Sequence, residues 1–462
     1  MTNIYAEHIL DAYQLFHDGT LALAEAEQQG MRVSVEYIKK KSKQIDHKIT
    51  KLESVIYDSE FFRNWQNYSK SKVNIYSPKQ LEMYLYTCLK LKAKKQTKSG
   101  HGSTDEESLA QLNIAELDTF LEIKKLKKLK DTYLDGFLRE QIDGFIHPFF
   151  TLHLVKTYRG ASSNPNFQNI PKRDKESMKT IRGALFPRID YQLLELDYSQ
   201  LEVRIAQAYH NDPTMLEYLE TGHDMHKDIA VQIFCLKEYD ATIHKELRQA
   251  SKGAFVFAQF YGDYYKNCAK NLTTNWCKLP ESKWKSGQGI IVGDEHISDL
   301  FIRSGITSYA KFESHLEKIE NDFWGNRFPI YDRWKETWWR AYQRDGYFLS
   351  KTGFLFTGVM SRNDATNYPV QGAAFHVLLW CLIQATNELK EYKMKSKIVG
   401  QIHDAIVMDV CPTELDDVVA MMKRIMEKKV RKHWSWINVP LKIEAELCPV
   451  NASWAEKQEY KI

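Results

Sequence analysis

Apolar residues near the start of the chain recur at helical spacing. Within residues 1–60 they include Leu10, Tyr13, Phe16, Leu21 and Ala24. Steps of three residues keep side chains on one face of a helix. Gly30 follows, and glycine readily adopts the left-handed conformation that ends many helices. The pattern predicts two helices, the second ending at Gly30.

A second helical pattern covers Leu109–Leu138, after a Gly-, Ser- and Thr-rich loop at Gln96–Glu107. Its apolar stripe comprises Leu121, Leu126, Leu129 and Tyr133. The lysines between Lys124 and Lys130 lie mostly off this stripe. We therefore predict an amphipathic helix with a basic face, and such a face is either solvated surface or a contact for an anionic partner.

Strand-like segments appear in the middle and in the C-terminal part of the chain. They are Tyr191–Leu196, residues 347–358, Lys397–Val410 and Leu441–Leu447. The third reads as two strands joined at a tight turn. Helical patterns begin near Ser199 and cover 213–345 and Gln371–Leu389. Strands and helices that are grouped in this way predict an α+β fold.

Composition supports a globular protein of several domains. The chain has 462 residues, of which 43% are apolar. At roughly 150 residues per domain, this length corresponds to about three domains. The net charge is only +4 although 27% of residues are charged. Any attraction to nucleic acid must therefore come from local patches. Two lysine clusters are candidates: Lys90, Lys92, Lys94, Lys95 and Lys98, and Lys124, Lys125, Lys127, Lys128 and Lys130.

Cysteine usage and hydropathy indicate the compartment. The seven cysteines include no Cys-x-x-Cys pair, which argues against a disulfide framework and a structural zinc site. Apolar runs stop well short of the roughly 18 residues that a membrane span needs, and residues 1–21 lack a signal-peptide pattern. We expect a soluble protein with free thiols in a reducing cytoplasm.

Two aspartates are candidates for chemistry. Asp197 follows an apolar strand and precedes a helix, and Asp404 lies at the turn of the later hairpin. Carboxylates from separate strands, brought side by side, supply the hard oxygen ligands that a pair of magnesium ions requires. Taken singly, each is equally explained as a turn or helix-cap residue.

The segment Arg248–Gly262 (RQASKGAFVFAQFYG) adds two cations and several aromatic residues. Arg248 and Lys252 are four residues apart, so on a helix they share a face and suit a triphosphate. An aromatic residue on the same face would stack on a base. The alternative is an ordinary amphipathic helix with a solvated basic edge.

Together these residues resemble the polymerase portion of family A DNA polymerases, the group of bacterial DNA polymerase I and phage replicases. Motif A is matched by Asp197–Arg204 (DYSQLEVR), motif B by Arg248, Lys252 and Tyr261-Gly262, and motif C by His403-Asp404. Further matches, in family order, are Ser77–Leu81, Ser103–Leu109, Ser162–Pro171, Gly222–His226, Asn367–Gly372 and Trp454. They extend over nearly the whole chain.

The resemblance implies a right-hand fold with an antiparallel-sheet palm, a helical thumb and mainly helical fingers. The implied domains are an N-terminal palm segment at 1–28, a thumb at 29–140, palm with motif A at 141–215, fingers with motif B at 216–362, and palm with motif C at 363–462. The lysine clusters would then lie in the thumb, and Lys124, Lys127 and Lys128 would contact phosphates of duplex DNA.

The resemblance also implies the active-site roles. Asp197, Asp404 and the backbone carbonyl of Tyr198 would hold two Mg²⁺, with Mn²⁺ as a substitute, for phosphoryl transfer to the primer 3′-hydroxyl. Lys252 would also donate a proton to pyrophosphate. The implied dNTP-binding residues are His226, Arg248, Lys252, Phe257, Tyr261, Glu202 and Gln200, with Glu202 excluding ribonucleotides. The implied primer and template contacts are Arg159, Asn367, Gln371 and His403.

Three positions depart from the family pattern. The family has an aromatic residue four positions after the motif B lysine and four before the tyrosine. Counted forward from Lys252 this position is Val256, but counted back from Tyr261 it is Phe257, so the segment carries one extra residue. In an α-helix Phe257 would be about 140° from Lys252, and a one-residue π-turn would restore the register. We favour Phe257, which implies discrimination against dideoxynucleotides. Ala405 replaces the usual glutamate after motif C, and Asn363 replaces an arginine.

A proofreading exonuclease is not expected in this chain, because residues 1–28 are too few to fold one. The exonuclease would be a separate protein, or the chain a polymerase fragment. We expect a monomer whose partners are primer–template DNA, dNTPs and a separate exonuclease or processivity factor. The rival hypotheses are a single-subunit RNA polymerase and a non-catalytic DNA-binding subunit.

Overall fold

Strands from two distant parts of the chain build the central sheet of the protein. The structure is a computed structural model that describes residues 2–69, 72–93, 95–97, 99–112, 114–172 and 174–462. All strands of the described residues, in and outside the central sheet, are β1 (Met31–Val33), β2 (Phe145–Ile146), β3 (Phe149–Thr151), β4 (Ala161–Ser163), β5 (Leu185–Phe186), β6 (Gln192–Tyr198), β7 (Ile291–Val292), β8 (Glu295–His296), β9 (Tyr347–Leu349), β10 (Leu355–Thr357), β11 (Lys397–Ile402), β12 (Ala405–Val410), β13 (Ile443–Leu447) and β14 (Gln458–Tyr460).

The central sheet has the order β11-β12-β6-β13-β14, and its neighbouring strands are antiparallel. Successive residues of β6 and β12 are almost all buried. Because successive side chains point to opposite faces, both faces of these strands are covered. This is why they read in the sequence as continuous apolar runs, and the strands predicted at Tyr191–Leu196, Lys397–Val410 and Leu441–Leu447 are confirmed.

The N-terminal third is helical. Its helices are α1 (Thr2–Gln29), α2 (Val35–Tyr57), α3 (Glu60–Tyr68), α4 (Pro78–Glu82), α5 (Glu106–Ala110), α6 (Ala115–Lys127) and α7 (Asp135–Glu140). Helix α2 begins at Ser34, whose hydroxyl accepts from the Tyr37 amide at 3.2 Å, and it packs on α6. The predicted stripe of Leu126, Leu129 and Tyr133 is buried.

The prediction of two helices before Gly30 is wrong, since α1 is one continuous helix. Gly30 does end it, at φ +62°. Helix α1 packs against the sheet through Ala12, Leu15, Leu23 and Ala26, whereas Leu10 and Tyr13 are exposed. Small alanines allow this close packing, and a count of large apolar residues favoured the other face.

The middle of the chain forms a second helical region. Its helices are α8 (Lys175–Arg182), α9 (Leu201–His210), α10 (Pro213–Thr221), α11 (Met225–Ile233), α12 (Lys245–Ser251), α13 (Phe257–Phe260), α14 (Tyr265–Asn271), α15 (Ile297–Arg303), α16 (Tyr309–Asp322) and α17 (Pro329–Asp345). Six tryptophans of this region, expected to serve packing, are partly buried against the core: Trp276, Trp284, Trp324, Trp334, Trp338 and Trp339.

The C-terminal helices cover the sheet. They are α18 (Arg362–Glu391), α19 (Leu415–Lys423) and α20 (Val430–His433). Helix α18 begins with a capping box formed by Ser361 and Asp364, nine residues before the predicted start. It packs against α1, α9 and α17. It thereby joins the sheet to the middle helical region.

Short π-helical and 3₁₀ turns interrupt the helices. The π-turns are Met83–Cys88, Lys128–Leu134, Lys252–Val256, Leu272–Trp276, Phe323–Arg327 and Arg424–Lys429, and the 3₁₀ turns are Phe167–Asn169, Glu281–Lys283, Pro412–Glu414 and Trp454–Glu456. Among the described residues, no helix is both long enough and apolar enough to cross a membrane. All seven cysteines are free thiols.

Candidate active site

The two candidate aspartates lie at the same end of adjacent strands. Asp197 of β6 is paired directly with Ala405 of β12. Asp404 immediately precedes Ala405, so it is one residue from the cross-strand partner of Asp197. The Tyr198 amide donates to the Asp404 carbonyl at 3.2 Å. Residues directly opposite in an antiparallel ladder have Cα atoms about 4.5–5.5 Å apart. The backbone ladder therefore brings the two aspartates together.

The turn that carries Asp404 is held from outside the hairpin. His403 adopts φ +51°, and its amide donates to Gln168 Oε1 at 2.8 Å. Gln168 Nε2 in turn donates to Gln401 Oε1 at 2.8 Å. Gln168 was not predicted as a site residue, although it lies within the motif Ser162–Pro171. The segment before motif A thus fixes the turn of motif C.

Asp404 is an unusual carboxylate. Burial and the neighbouring Glu202 carboxylate raise the pKa of Asp404 to about 6, and Asp197 contributes in the same direction. Arg159 and Lys172 oppose these effects. Within the described residues, no side-chain donor is hydrogen-bonded to the Asp404 carboxylate. Its charge is therefore incompletely compensated by the protein.

Lys172 compensates the second aspartate. Its Nζ lies 3.0 Å from Asp197 Oδ2, and the lysine lines the same cleft as Asp404. Lys172 was not predicted as a site residue. It follows the motif Ser162–Pro171, and nothing in the sequence pattern indicates that it contacts Asp197. A protein cation thus lies beside one of the two carboxylates.

The donor set fits hard divalent cations. Asp197, Asp404 and the Tyr198 carbonyl are oxygen ligands of the kind that Mg²⁺ prefers, and the undercompensated charge of Asp404 favours a cation. No group of three or more His, Cys, Asp and Glu side chains converges on a metal site in the ranges that the structure describes. A magnesium ion here would need substrate oxygens or water to complete its coordination.

The predicted π-turn of motif B is confirmed. It covers Lys252–Val256 and leads into α13 at Phe257. Val256 is fully buried, while Phe257 lines the cleft with Lys252. Lys252 Nζ lies 5.4 Å from the Phe257 ring centroid, so the extra residue leaves both on the cleft side. Because five other π-turns occur in the described chain, the shared cleft is the informative observation.

One cation of motif B, Arg248, is paired with a carboxylate. Arg248 Nε lies 2.5 Å from Asp224 Oδ2, and Asp224 also caps α11, which begins beside His226. Burial, followed by the nearby Arg248, lowers the pKa of Lys252. Burial, with help from Lys252, lowers the pKa of His226 to about 4. His226 is therefore neutral at pH 7, and its buried Nδ1 has no hydrogen-bond partner among the described residues.

Glu202 connects the sheet side of the cleft to motif B. Its Oε1 accepts from Arg159 Nη1 at 3.0 Å, and its Oε2 accepts from the Tyr261 hydroxyl. Gln200, at φ +57°, precedes α9 and also faces the cleft. The predicted selectivity residue is thus fixed by partners from two separate segments.

Helix α18 contacts the end of motif B. Asn367 Nδ2 donates to the Tyr261 carbonyl at 3.1 Å, and Asn363 Nδ2 donates to the Gly262 carbonyl at 3.2 Å. A Cβ at Gly262 would lie 2.2 Å from Asn363 Oδ1, and Gly262 has φ +86°. Glycine is therefore required there. Asn363, which stands where the family pattern has an arginine, supports the backbone at the end of motif B.

A cleft of about 560 Å³ gathers most of the predicted site residues. They are Arg159, Gln200, Glu202, Lys252, Phe257, Tyr261, Asn367, Gln371, His403 and Asp404. Arg248 and His226 line a neighbouring pocket of about 190 Å³, which shares Gln200 with the cleft. Neither pocket includes Lys124, Lys127 or Lys128.

Many lysines of the two clusters are engaged within the protein. Lys124 is half-buried and donates to the Thr104 carbonyl at 3.4 Å, and Lys127 Nζ lies 4.4 Å from the Tyr76 ring centroid. Lys125 pairs with Asp174, Lys130 with Asp46 and Asp135, and Lys95 with Asp105. Lys94 and Lys98 lie outside the described residues. Lys128 is exposed and makes no ion pair with any described residue.

The sequence is similar to known polymerases over nearly its whole length. A model of DNA polymerase family A matches residues 35–282 and 355–456. DNA polymerase I of Lactococcus lactis subsp. cremoris is 29% identical over 443 residues, which cover 95% of this chain and 45% of that protein. DNA polymerase I of Caldicellulosiruptor bescii is 30% identical over 434 residues, 92% of this chain and 45% of that protein.

The fold is also similar to a solved structure, the POL domain of Pol1 from M. smegmatis in complex with DNA primer-template and dNTP. The TM-score is 0.75 at 23% identity, and the match covers 95% of this chain and 70% of that one. The right-hand architecture expected from the sequence is therefore confirmed. The chain spans about half the length of the curated relatives it matches.

Proposed function

This chain belongs to DNA polymerase family A, and from that membership we propose that it extends a DNA primer by template-directed addition of dNTPs. The observation that carries the proposal is the placement of Asp197 and Asp404 side by side on paired strands. Asp404 lines a cleft with Glu202, Lys252 and Phe257, and Asp197 is paired with Lys172 of the same cleft. Carboxylates, a cation and an aromatic ring are what a nucleoside triphosphate and a primer terminus require.

The residues around the carboxylates suit the parts of a nucleotide. Arg248 and Lys252 would bind the triphosphate. His226 would donate a hydrogen bond to it as a neutral imidazole, until the bound anion raises the pKa of His226. The ring of Phe257 would contact the base or sugar, and Tyr261 would stand at the edge of the new base pair. Glu202, fixed by Arg159 and Tyr261, would fill the space beside the sugar 2′ position. Gln200 would contact the dNTP from the sheet side.

Asp197, Asp404 and the Tyr198 carbonyl would hold two Mg²⁺, for which Mn²⁺ could substitute. When bound, these ions lower the pKa of the primer hydroxyl and neutralise developing charge on the leaving group. The protein positions both carboxylates by the strand register and by Gln168. The lowered pKa of Lys252 suits the proposed donation of a proton to pyrophosphate.

Primer extension tests the proposal. Wild type should extend a 5′-labelled primer on a longer template with dNTPs and Mg²⁺. Asp404→Ala should lower the rate by about 10³-fold or more, the scale for losing a main electrostatic group of an active site. Equal rates in both would refute the metal assignment. No extension by either would favour the non-catalytic, DNA-binding hypothesis.

The sugar preference tests the RNA polymerase hypothesis. With its carboxylate held by two partners, Glu202 should make wild type prefer dNTPs over rNTPs. The test compares kcat/KM for dATP and ATP opposite the same template base. Equal values would favour an RNA polymerase.

DNA binding should depend on exposed cations of the N-terminal helical region. We propose that Lys128, together with Lys124 and Lys127 after they leave their intramolecular contacts, binds phosphates of the duplex. Lys128→Ala should reduce the slope of log affinity against log salt by up to about 0.9. Replacing Lys125, which is paired with Asp174, should change it less. Equal slopes for all variants would remove this region from the DNA interface.

The remaining expectations are part of the same proposal. The domains would be palm at 1–28, 141–215 and 363–462, thumb at 29–140 and fingers at 216–362. Arg159, Asn367, Gln371 and His403 would follow the minor groove of the primer–template. The enzyme would act as a monomer in a bacterial or phage-infected cytoplasm, with proofreading or processivity supplied by separate proteins.

A further inference from the structure

A buried amide lies behind the cleft side of motif B. Gln259 of α13 is 1% exposed. Its Oε1 accepts from Trp324 Nε1 at 2.7 Å, and its Nε2 donates to Glu320 Oε2 and, at 3.6 Å, to Cys268 Sγ. Both ends of the side chain are therefore satisfied, and in a buried site such pairing fixes an orientation.

Gln259 lies opposite the residues that face the cleft. At 100° per residue, Phe257 and Tyr261 are about 40° apart on α13, whereas Gln259 is about 160° from each. The contacts of Gln259 therefore lie behind Phe257 and behind Tyr261, the residue that follows α13. This matters here because the π-turn just before α13 would otherwise allow the helix to be rotated by one residue.

The partners of Gln259 are themselves immobilised. Trp324 carries Lys335 Nζ at 3.1 Å from its ring centroid and contacts the Tyr331 ring edge-on at 5.4 Å. Glu320 lies on α16, Trp324 lies in the π-turn at Phe323–Arg327, and Cys268 lies on α14. Three elements thus converge on one amide: α16, the π-turn at Phe323–Arg327, and α14.

Glu320, Trp324 and Lys335 all lie between residues 283 and 354, the internal segment that the family model does not match. The sequence assigns no role to this segment. Its contacts with motif B make it the rear support of the nucleotide-facing helix.

We propose that Gln259, held by Glu320 and Trp324, is a positioning residue that sets the rotation of α13 after the π-turn and so directs Phe257 and Tyr261 at the incoming nucleotide. The proposal rests on the polymerase function proposed above. It predicts that the support affects nucleotide binding more than the chemical step, because Asp197 and Asp404 are placed by the sheet.

An exchange of groups tests it. Gln259→Glu places two carboxylates against each other at positions 259 and 320. The double variant Gln259→Glu with Glu320→Gln restores the hydrogen bond between these positions with donor and acceptor reversed, and it still offers an acceptor oxygen to Trp324 Nε1. We expect the single variant to raise the KM for dNTP about tenfold with kcat changed less than about threefold, the pattern of lost uniform binding. The double variant should return KM to within about twofold of wild type.

A second readout does not need catalysis. Hydrogen–deuterium exchange of peptides covering residues 252–262 should be faster in Gln259→Glu and normal in the double variant. Trp324→Phe keeps an aromatic ring, although a smaller one, and removes the indole N–H donor. It should raise KM about threefold, which keeps the test open if Gln259→Glu folds poorly. Gln343→Glu is the matched control, since Gln343 is exposed on α17, and it should behave as wild type.

The outcomes separate the two proposals. If wild type fails to extend primers, the polymerase function is refuted. The hydrogen–deuterium exchange data alone then test the role of Gln259. If wild type is active but Gln259→Glu matches it in KM and exchange, the positioning role is refuted. A double variant no better than the single one would also refute it.

Discussion

The end of the central sheet and the helix of motif B face each other across one cleft, but they are held in different ways. Asp197 and Asp404 are placed by a ladder of backbone hydrogen bonds between β6 and β12. Tyr261 is held by the side chains of Glu202 and Asn367, and Gln259, on the same helix as Phe257, is held by Trp324. A backbone ladder cannot shift without losing its register, whereas side-chain contacts can exchange one by one.

The difference suggests a division of labour. In the proposed function, the sheet would provide a rigid platform for the reacting groups, where small displacements are costly. The helix would provide the surface that recognises the nucleotide. Changes on the sheet side should therefore abolish turnover, and changes on the helix side should alter selection among nucleotides.

The largest effect is expected from the sheet. Asp197→Asn keeps the size of the side chain but removes its charge, and should lower kcat by about 10³-fold with little change in melting temperature. Single-turnover primer extension and a thermal melt would measure both. Asp417→Asn, at an exposed site on α19, is the control. A loss below tenfold would remove the sheet end as the reaction centre.

The next effect is expected where sheet and helix meet. Glu202→Ala should raise kcat/KM for rNTPs relative to dNTPs by about 10–100-fold, since it opens the space beside the sugar. Tyr261→Phe keeps the ring but frees the Glu202 carboxylate, and should shift the ratio in the same direction by less. An unchanged ratio in Glu202→Ala would mean that another group excludes ribonucleotides.

A smaller effect is expected on the helix side. Phe257→Tyr should reduce the preference for dNTP over ddNTP by about tenfold or more, because a hydroxyl at this position could replace a missing contact of the sugar. Competitive incorporation of ddTTP and dTTP measures the ratio. The substitution should leave kcat for dTTP nearly unchanged. A large fall in kcat instead would contradict the separation of recognition from chemistry.

The smallest effect concerns the cation beside Asp197. Lys172→Met removes a half-exposed ion pair worth about 0.2–1 kcal/mol, so the Mg²⁺ concentration for half-maximal activity should fall by up to about fivefold. Mn²⁺ binding to the enzyme without substrates, followed by electron paramagnetic resonance, should tighten similarly. If both constants rise, Lys172 assists metal binding rather than competing with it.

The same contrast explains what the sequence could predict. The strands of β6, β11, β12 and β13 were predictable because buried strands read as apolar runs, and the turn at Asp404 follows from the hairpin pattern. Even the π-turn was predictable, because the spacing between Lys252 and Tyr261 in this chain is one residue longer than in the family pattern. These features depend on local pattern.

The remaining features depend on contacts between distant segments. Gln168 supports the motif C turn across 235 positions of sequence separation, and Lys172 reaches Asp197 from a loop. Gln259 reads in the sequence as one polar residue of an aromatic helix, and only the fold brings Trp324 to it. The buried face of α1 was likewise decided by what packs on it.

The most direct test of the central claim is a crystal structure with primer, template, dNTP and Mn²⁺, examined by anomalous scattering. The account predicts two Mn²⁺ peaks about 3.5–4 Å apart, each within bonding distance of a carboxylate oxygen of Asp197 or Asp404. Peaks bound elsewhere, with these two carboxylates left without a metal, would contradict it.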